Sequence, residues 1–160
     1  MIKIFADTSV IEEIKELNSN PLIKGFTTNP TLMRKAGVID YEFFCKTVLE
    51  QVKDKPVSFE VFADDFDEME RQAKIISSWG ENVYVKIPIM NTEGKSSIYL
   101  INKLLSEGIK INITAVMKAS QLSGLGDTKT PHIISVFAGR IADTGIDPCS
   151  TIYDVKLRAY

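Results

Sequence analysis

The sequence predicts an α/β protein built on a parallel sheet, and three observations carry that prediction. Six short apolar runs alternate with longer segments of helical period. No hairpin signal joins one run to the next, so consecutive strands are expected to be linked by helices. The run Val83-Tyr84-Val85-Lys86-Ile87-Pro88-Ile89 is β-branched and aromatic on both faces, as in a strand covered on both sides. Two architectures fit, a doubly wound open sheet and a (β/α)₈ barrel. No Gly-x-Gly-x-x-Gly follows the first run and no Walker loop occurs, which weakens the nucleotide-binding alternative. Against the barrel, the chain supplies about six βα units where closure takes eight.

The first strand is expected at Ile2 to Ala6. Ser9-Val10-Ile11-Glu12 then reads as a capping box, opening a helix that turns Ile11, Ile14 and Leu17 to one side. Leu22 to Thr27 is the second strand, and Asn29-Pro30-Thr31 is a turn suited to starting a helix. Tyr41 to Lys53 repeats apolar residues at Phe44, Val48 and Val52. Val57 to Val61 is the third strand, and Asp65 opens a helix with a core stripe of Phe66, Met69, Ala73 and Ile76. After the Lys86 strand, a helix over Thr92 to Glu107 buries Ile98, Ile101, Leu104 and Leu105 and stops at Gly108. Ile109 to Ile113 is the fifth strand, Lys118 to Leu122 begins a short helix, and Ile133 to Phe137 is the sixth strand. Pro148 to Tyr160 is weakly helical.

Composition narrows the class. The 160 residues are 44% hydrophobic and 25% charged, with a formal charge of −2, which describes a globular domain large enough for a real core. Lys and Arg are scattered rather than gathered in a stripe, so no nucleic-acid partner is expected. Cys45 and Cys149 lack metal-ligand spacing and read as reduced thiols of a cytoplasmic protein. The single histidine, His132, has no Cys or His neighbour, which argues against a catalytic or metal role. The opening Met1-Ile2-Lys3-Ile4-Phe5 is too short and too charged for a signal peptide, and no apolar stretch is long enough to cross a membrane.

Lys86 is the sharpest single feature. An amine inside an apolar strand loses solvation, which disfavours the ammonium form, and a neutral amine can condense with a carbonyl to give a Schiff base. The plain alternative is a lysine that snorkels out at the strand end. Its company matters, because barrel enzymes gather reactive groups at the carboxyl ends of successive strands. Asp7 closes the first strand and Asn29 follows the second. Glu60 ends the third, Lys86 lies on the fourth, and Asn112 and Thr114 share a face of the fifth. Ser135 and Phe137 share a face of the sixth, with Arg140 just beyond. Each has an ordinary reading: Asp7 as a capping-region acid, Asn29 as turn chemistry before Pro30, Thr114 as a local hydrogen-bonder, Arg140 as a surface charge. Glu60 is the hardest to dismiss, since an acid in an apolar strand needs a partner, and a structural pair with Lys86 is itself an alternative to catalysis.

The chain resembles the small-subunit branch of the transaldolase family, which also holds the fructose-6-phosphate aldolases. The matching segments are Ala6-Asp7-Thr8-Ser9, Gly25-Phe26-Thr27-Thr28-Asn29-Pro30-Thr31, Val85-Lys86-Ile87-Pro88, Asn112-Ile113-Thr114-Ala115-Val116 and Ser135-Val136-Phe137-Ala138-Gly139-Arg140-Ile141. They run in family order over essentially the whole chain, which reads as a single, incomplete barrel domain spanning 1–160.

The resemblance implies a (β/α)₈ TIM-barrel type of fold and a transferase of the pentose phosphate pathway, with sugar phosphates as its substrates. The Schiff-base lysine would be Lys86. Asp7 would be the acid/base of carbon–carbon cleavage, and Thr114 would orient a water beside Glu60. Thr28, Asn29, Asn112, Ser135, Phe137 and Arg140 would bind substrate, Arg140 at the phosphate. It implies a ring-like homo-oligomer as well. No metal or organic cofactor is expected, because the iminium is its own electron sink. Glu60 and Phe137 side with transaldolase, where the aldolase branch tends to carry Gln and Tyr. A phenol could protonate the enamine and release free product, whereas a phenyl ring leaves it waiting for an acceptor. The family barrel continues through seventh and eighth strands, while this chain reaches Tyr160 near the sixth helix, which would leave two unpaired sheet edges. Three readings follow: a piece of a longer protein, a chain closed by another copy, or an inactive relative that binds sugar phosphate. Outside the family, an open α/β binding domain with a structural Lys86–Glu60 pair remains.

Overall fold

A computed structural model describes residues 2–158. Six strands form one sheet, all parallel and in sequential order: β1 (Ile4–Asp7), β2 (Ile23–Thr27), β3 (Val57–Glu60), β4 (Val83–Pro88), β5 (Ile111–Val116) and β6 (His132–Val136). The order never reverses, and a doubly wound sheet requires a reversal at its switch point. Residues from β1 and from the end of β6 line one cleft, so the sheet is curled into part of a (β/α)₈ barrel. This settles the choice the sequence left between barrel and open doubly wound sheet. Among the described residues β1 and β6 are the sheet's edges.

Side-chain parity divides the sheet into two chemically different faces. Phe26, Val57, Phe59, Val83, Val85, Ile87, Ile111 and Ile113 point outward and are buried against the helices. There they meet Ile14 of α1 (Ile11–Asn18), Met69, Ala73 and Ile76 of α4 (Phe66–Ser77), and Ile101, Leu104 and Leu105 of α5 (Ile98–Ser106). The inward face alternates with this set and carries polar groups, from Ser58 through Lys86 to Asn112 and Thr114. Phe5 fills part of that inner face. A Cβ at Gly25 would sit 2.2 Å from its ring, so glycine is the residue that lets the ring lie across β2.

Several local expectations hold. Asn29 caps α2 (Pro30–Lys35), its Oδ1 accepting from Leu32 N at 2.9 Å, and Asp65 caps α4 through Glu68 N at 3.0 Å. Tyr41 opens α3 (Tyr41–Gln51), with Phe44, Cys45, Val48 and Leu49 buried. Others are corrected. There is no capping box at Ser9: its hydroxyl is buried without a partner among the described residues, and Thr8 bridges instead, accepting from Val10 N and donating to Glu13 at 2.6 Å. The helix expected from Thr92 begins at Ile98. The preceding residues form a turn closed by Asn91 and Lys95, with Gly94 at φ +77°, and Asp64 anchors it by accepting from both Thr92 N and Thr92 Oγ1. Those two bonds hold the Asp64 carboxyl below its ordinary range. The turn after β5 is a short 3₁₀ segment, Ala119–Leu122. A helix absent from the sequence reading, α6 (Ala138–Asp143), follows β6, and the terminal segment is α7 (Pro148–Arg158). Ala159 and Tyr160, the end of that expected helix, and Met1 of the opening segment lie outside the described residues. No described helix is long and apolar enough to cross a membrane.

Candidate active site

The carboxyl ends of the strands enclose a cleft of about 720 Å³. Asp7, Thr27, Asn29, Glu60, Lys86, Thr114, Ser135, Phe137 and Arg140 all line it. Eight of the ten residues singled out from the sequence therefore converge on one space: the nine lining residues just named less Thr27, which sequence reasoning missed.

Lys86 does not snorkel out. It is 7% exposed, and register places it beside Glu60 on β3 and Asn112 on β5. Neither is its nitrogen stripped of polar partners, as the apolar run alone suggested. Nζ lies 3.1 Å from Glu60 Oε2 and donates to the main-chain oxygen of Thr28 at 2.9 Å. The Glu60 side chain keeps 18% of its surface open to the cleft, so this pair is sheltered but wettable.

Asp7 stands at the mouth. Its Oδ1 accepts from Thr27 Oγ1 at 2.8 Å and its Oδ2 from Asn29 Nδ2 at 3.4 Å, which aims the carboxylate across the cleft. Strand parity was the available signal for Thr27, because it ends β2 directly beside Asp7. Asn29 is engaged at both ends of its amide, one holding Asp7 and the other capping α2.

Thr114 is buried with its hydroxyl unpartnered among the described residues, an arrangement a buried hydroxyl rarely tolerates without an outside acceptor or donor. Thr114 stands within a bulge. Register slips between Ile113 and Val116, and Ala115 takes φ +59°, a left-handed conformation costly for a residue with a Cβ.

Two residues expected to bind substrate do not line the cleft. Thr28 is buried, with its hydroxyl donating to Ser58 O at 3.3 Å; its contribution is the carbonyl that holds Lys86. Asn112 is 0% exposed and lies beneath the cleft, donating to Ser58 Oγ at 3.1 Å while accepting from Ser135 Oγ at 2.7 Å. It ties β3, β5 and β6 together. Ser58 is the second residue missed, although its place two residues before Glu60 puts it on the same face. Ser135 lines the cleft with its hydroxyl already turned to Asn112. Phe137, 39% exposed, occupies the N-cap position of α6, and Arg140 projects from that helix with its side chain 77% exposed and Asp143 no closer than 3.9 Å. Its guanidinium is thus available to an anion at the rim.

A curled parallel sheet with a buried lysine, two carboxylates and a rim arginine at its carboxyl end defines a protein of the (β/α)-barrel enzyme type. Residues 4–156 match the family Transaldolase/Fructose-6-phosphate aldolase. The chain is 38% identical over 154 residues to a "Probable transaldolase" of Dehalococcoides mccartyi, covering 96% of this chain and 69% of that protein. It is 40% identical over 156 residues to a "Probable transaldolase" of Streptococcus equi subsp. zooepidemicus, covering 97% and 69%. To a "Probable transaldolase 2" of Listeria monocytogenes it is 39% identical over 156 residues, covering 97% and 68%. The chain belongs to the transaldolase/fructose-6-phosphate aldolase family.

Proposed function

We propose that the protein is a transaldolase, moving a dihydroxyacetone unit from a ketose phosphate to an aldose phosphate through a Schiff base on Lys86. The observation that carries this reading is the buried Nζ of Lys86, 3.1 Å from one carboxylate and opening onto a cleft that a second carboxylate also lines. Nζ gives its proton to Glu60, directly or through water, and attacks the ketone carbon to form a carbinolamine. Glu60 returns a proton to the departing hydroxyl, water leaves, and the iminium forms; the Thr114 hydroxyl, free to bond that water, steadies it. Asp7, aimed by Thr27 and Asn29, takes the proton of the β-hydroxyl. The adjacent carbon–carbon bond then breaks, its electron pair passes into the iminium to give the enamine, and an aldose phosphate departs. Attack of the enamine carbon on a second aldehyde reverses these steps. Arg140 meets the phosphate at the rim as a bidentate partner. The iminium accepts the electron pair, so the sequence needs no cofactor.

Phe137 favours transfer over release of free product, since the ring lining the cleft has no hydroxyl with which to protonate the enamine. The cytoplasm, the pentose phosphate pathway and ring-like self-association belong to the same proposal, the last being open to light scattering. Borohydride added with fructose 6-phosphate should leave one reduced adduct, located on Lys86 by peptide mass. Lys86→Met keeps the length of the stem and should lose both adduct and transfer. Adduct on another lysine, or transfer retained by Lys86→Met, would overturn the proposal.

A further inference from the structure

Beyond the strand ends, β2 and β3 part company, and the gap exposes a backbone acceptor. On β3, Val57 N and Val61 N bond to Asn82 O and Lys86 O, so the odd-numbered residues turn their main-chain groups toward β4. The even-numbered ones face β2, where Ser58 O accepts from Thr28 N at 3.2 Å. Glu60, two residues further on, therefore points its carbonyl to the β2 side. By then β2 has ended at Thr27 and the chain has turned into α2 at Pro30; the last paired residues are Thr27 and Ser58. No strand remains to bond the Glu60 carbonyl.

Tyr41 takes that place. Its hydroxyl, at the start of α3, donates to Glu60 O at 2.7 Å. The ring is wedged edge-on against Phe62 at 4.5 Å and Trp79 at 5.8 Å between centroids, which leaves the hydroxyl little freedom to go elsewhere. We propose that Tyr41 is a positioning residue, clamping the main chain of Glu60 and thereby setting the reach of that carboxylate to Lys86. The titratable groups facing the phenol are Cys45 on its own helix and Glu60 on β3. Burial and then Cys45 push the phenol well above the ordinary tyrosine range, and burial pushes the Cys45 thiol up as well. The hydroxyl is accordingly a permanent donor. Nothing in the sequence pattern marks Tyr41, whose position in the first turn of an amphipathic helix reads as packing.

The inference rests on Glu60 serving as proton carrier for Lys86, and its test is arranged to fail separately from that reading. Formaldehyde with cyanoborohydride condenses with amines without needing sugar recognition, so labelling of Lys86 reports the same imine chemistry on a minimal carbonyl. In the full chain, Tyr41→Phe keeps the ring and deletes the donor. Labelling of Lys86, measured against exposed Lys118 in the same digest, should slow about five- to tenfold, the factor one lost hydrogen bond supplies. Trapping with saturating fructose 6-phosphate should slow to match, with the half-saturating concentration within about twofold of wild type. In a Glu60→Gln background the same substitution should have no further effect, because Tyr41 acts through that carboxylate. A 4-aminophenylalanine at position 41, keeping a donor at the same reach, should restore the rate and serves as well if the phenylalanine variant folds poorly. Wild-type labelling in Tyr41→Phe, or an equal further slowing when Tyr41→Phe is added to Glu60→Gln, would overturn the positioning role. Failure of the wild type to trap the ketose phosphate would sink the transaldolase reading and leave the formaldehyde comparison to decide Tyr41.

Discussion

Asn112 offers the clearest contest between scaffold and ligand contact. Its motif neighbours and its place on β5 suggest a hand on the substrate, yet its amide is spent on Ser58 and Ser135 and its surface is fully covered. Substituting Asn112→Ala removes two hydrogen bonds at 3.1 and 2.7 Å. The Ser58 hydroxyl, buried, would be stranded at about 1–3 kcal/mol, whereas Ser135 can turn toward the cleft, adding about 1 kcal/mol for its lost bond. Together that is roughly 2–4 kcal/mol. At about 2–4 °C per kcal/mol for a chain of this size, Tm should fall by roughly 5–15 °C. The assay is a thermal melt beside steady-state transfer kinetics below the new midpoint. KM for the ketose phosphate should stay within about twofold of wild type, and a Ser58→Ala partner substitution should cost less in the Asn112→Ala background than alone. A tenfold rise in KM with an unmoved Tm would refute the scaffold assignment and return Asn112 to the substrate.

Other expectations follow from single contacts. Gly25→Ala drives a methyl to within 2.2 Å of the Phe5 ring, so it should cost about 1–3 kcal/mol by melt, and adding Phe5→Leu should recover most of the loss. If Phe5→Leu recovers nothing, the collision is not what glycine avoids. Glu68, bonded by Arg71 and Gln72, has its carboxyl lowered to about 2, below its unfolded value. The sign follows: this stabilisation is present above the ordinary glutamate range and drains away as pH falls toward 2. The Tm difference between wild type and Glu68→Gln should be small, in keeping with an exposed pair, and vanish by about pH 2; a difference that grows in acid would contradict it.

Much of the site is visible in one dimension because strand ends are. Where parallel strands run side by side, the inward residues near the end of each strand open onto a common mouth, so Asp7, Glu60, Lys86, Thr114 and Ser135 could be placed there from strand ends and parity. Parity also has a blind side. It assigns a side chain to a face of the sheet without saying how far up the barrel that face stays open, which is why Asn112 was expected in the cleft and lies behind it. Thr28, named through the family resemblance alone, follows Thr27 on the opposite face.

The alternation of apolar runs and helical segments by itself determined a parallel sheet with its polar groups on one side, because burial of the outward face demands that spacing. It also singled out a lysine that no apolar strand holds without a reason. Tertiary structure alone decided that the sheet curls in sequential order, that Glu60 meets Nζ, and that a phenol from a neighbouring helix holds the Glu60 main chain. The physical reason is that hydrogen-bond partners far apart in the chain depend on where neighbouring strands end. β2 stops two residues short of Glu60, and only folded geometry shows what fills the gap.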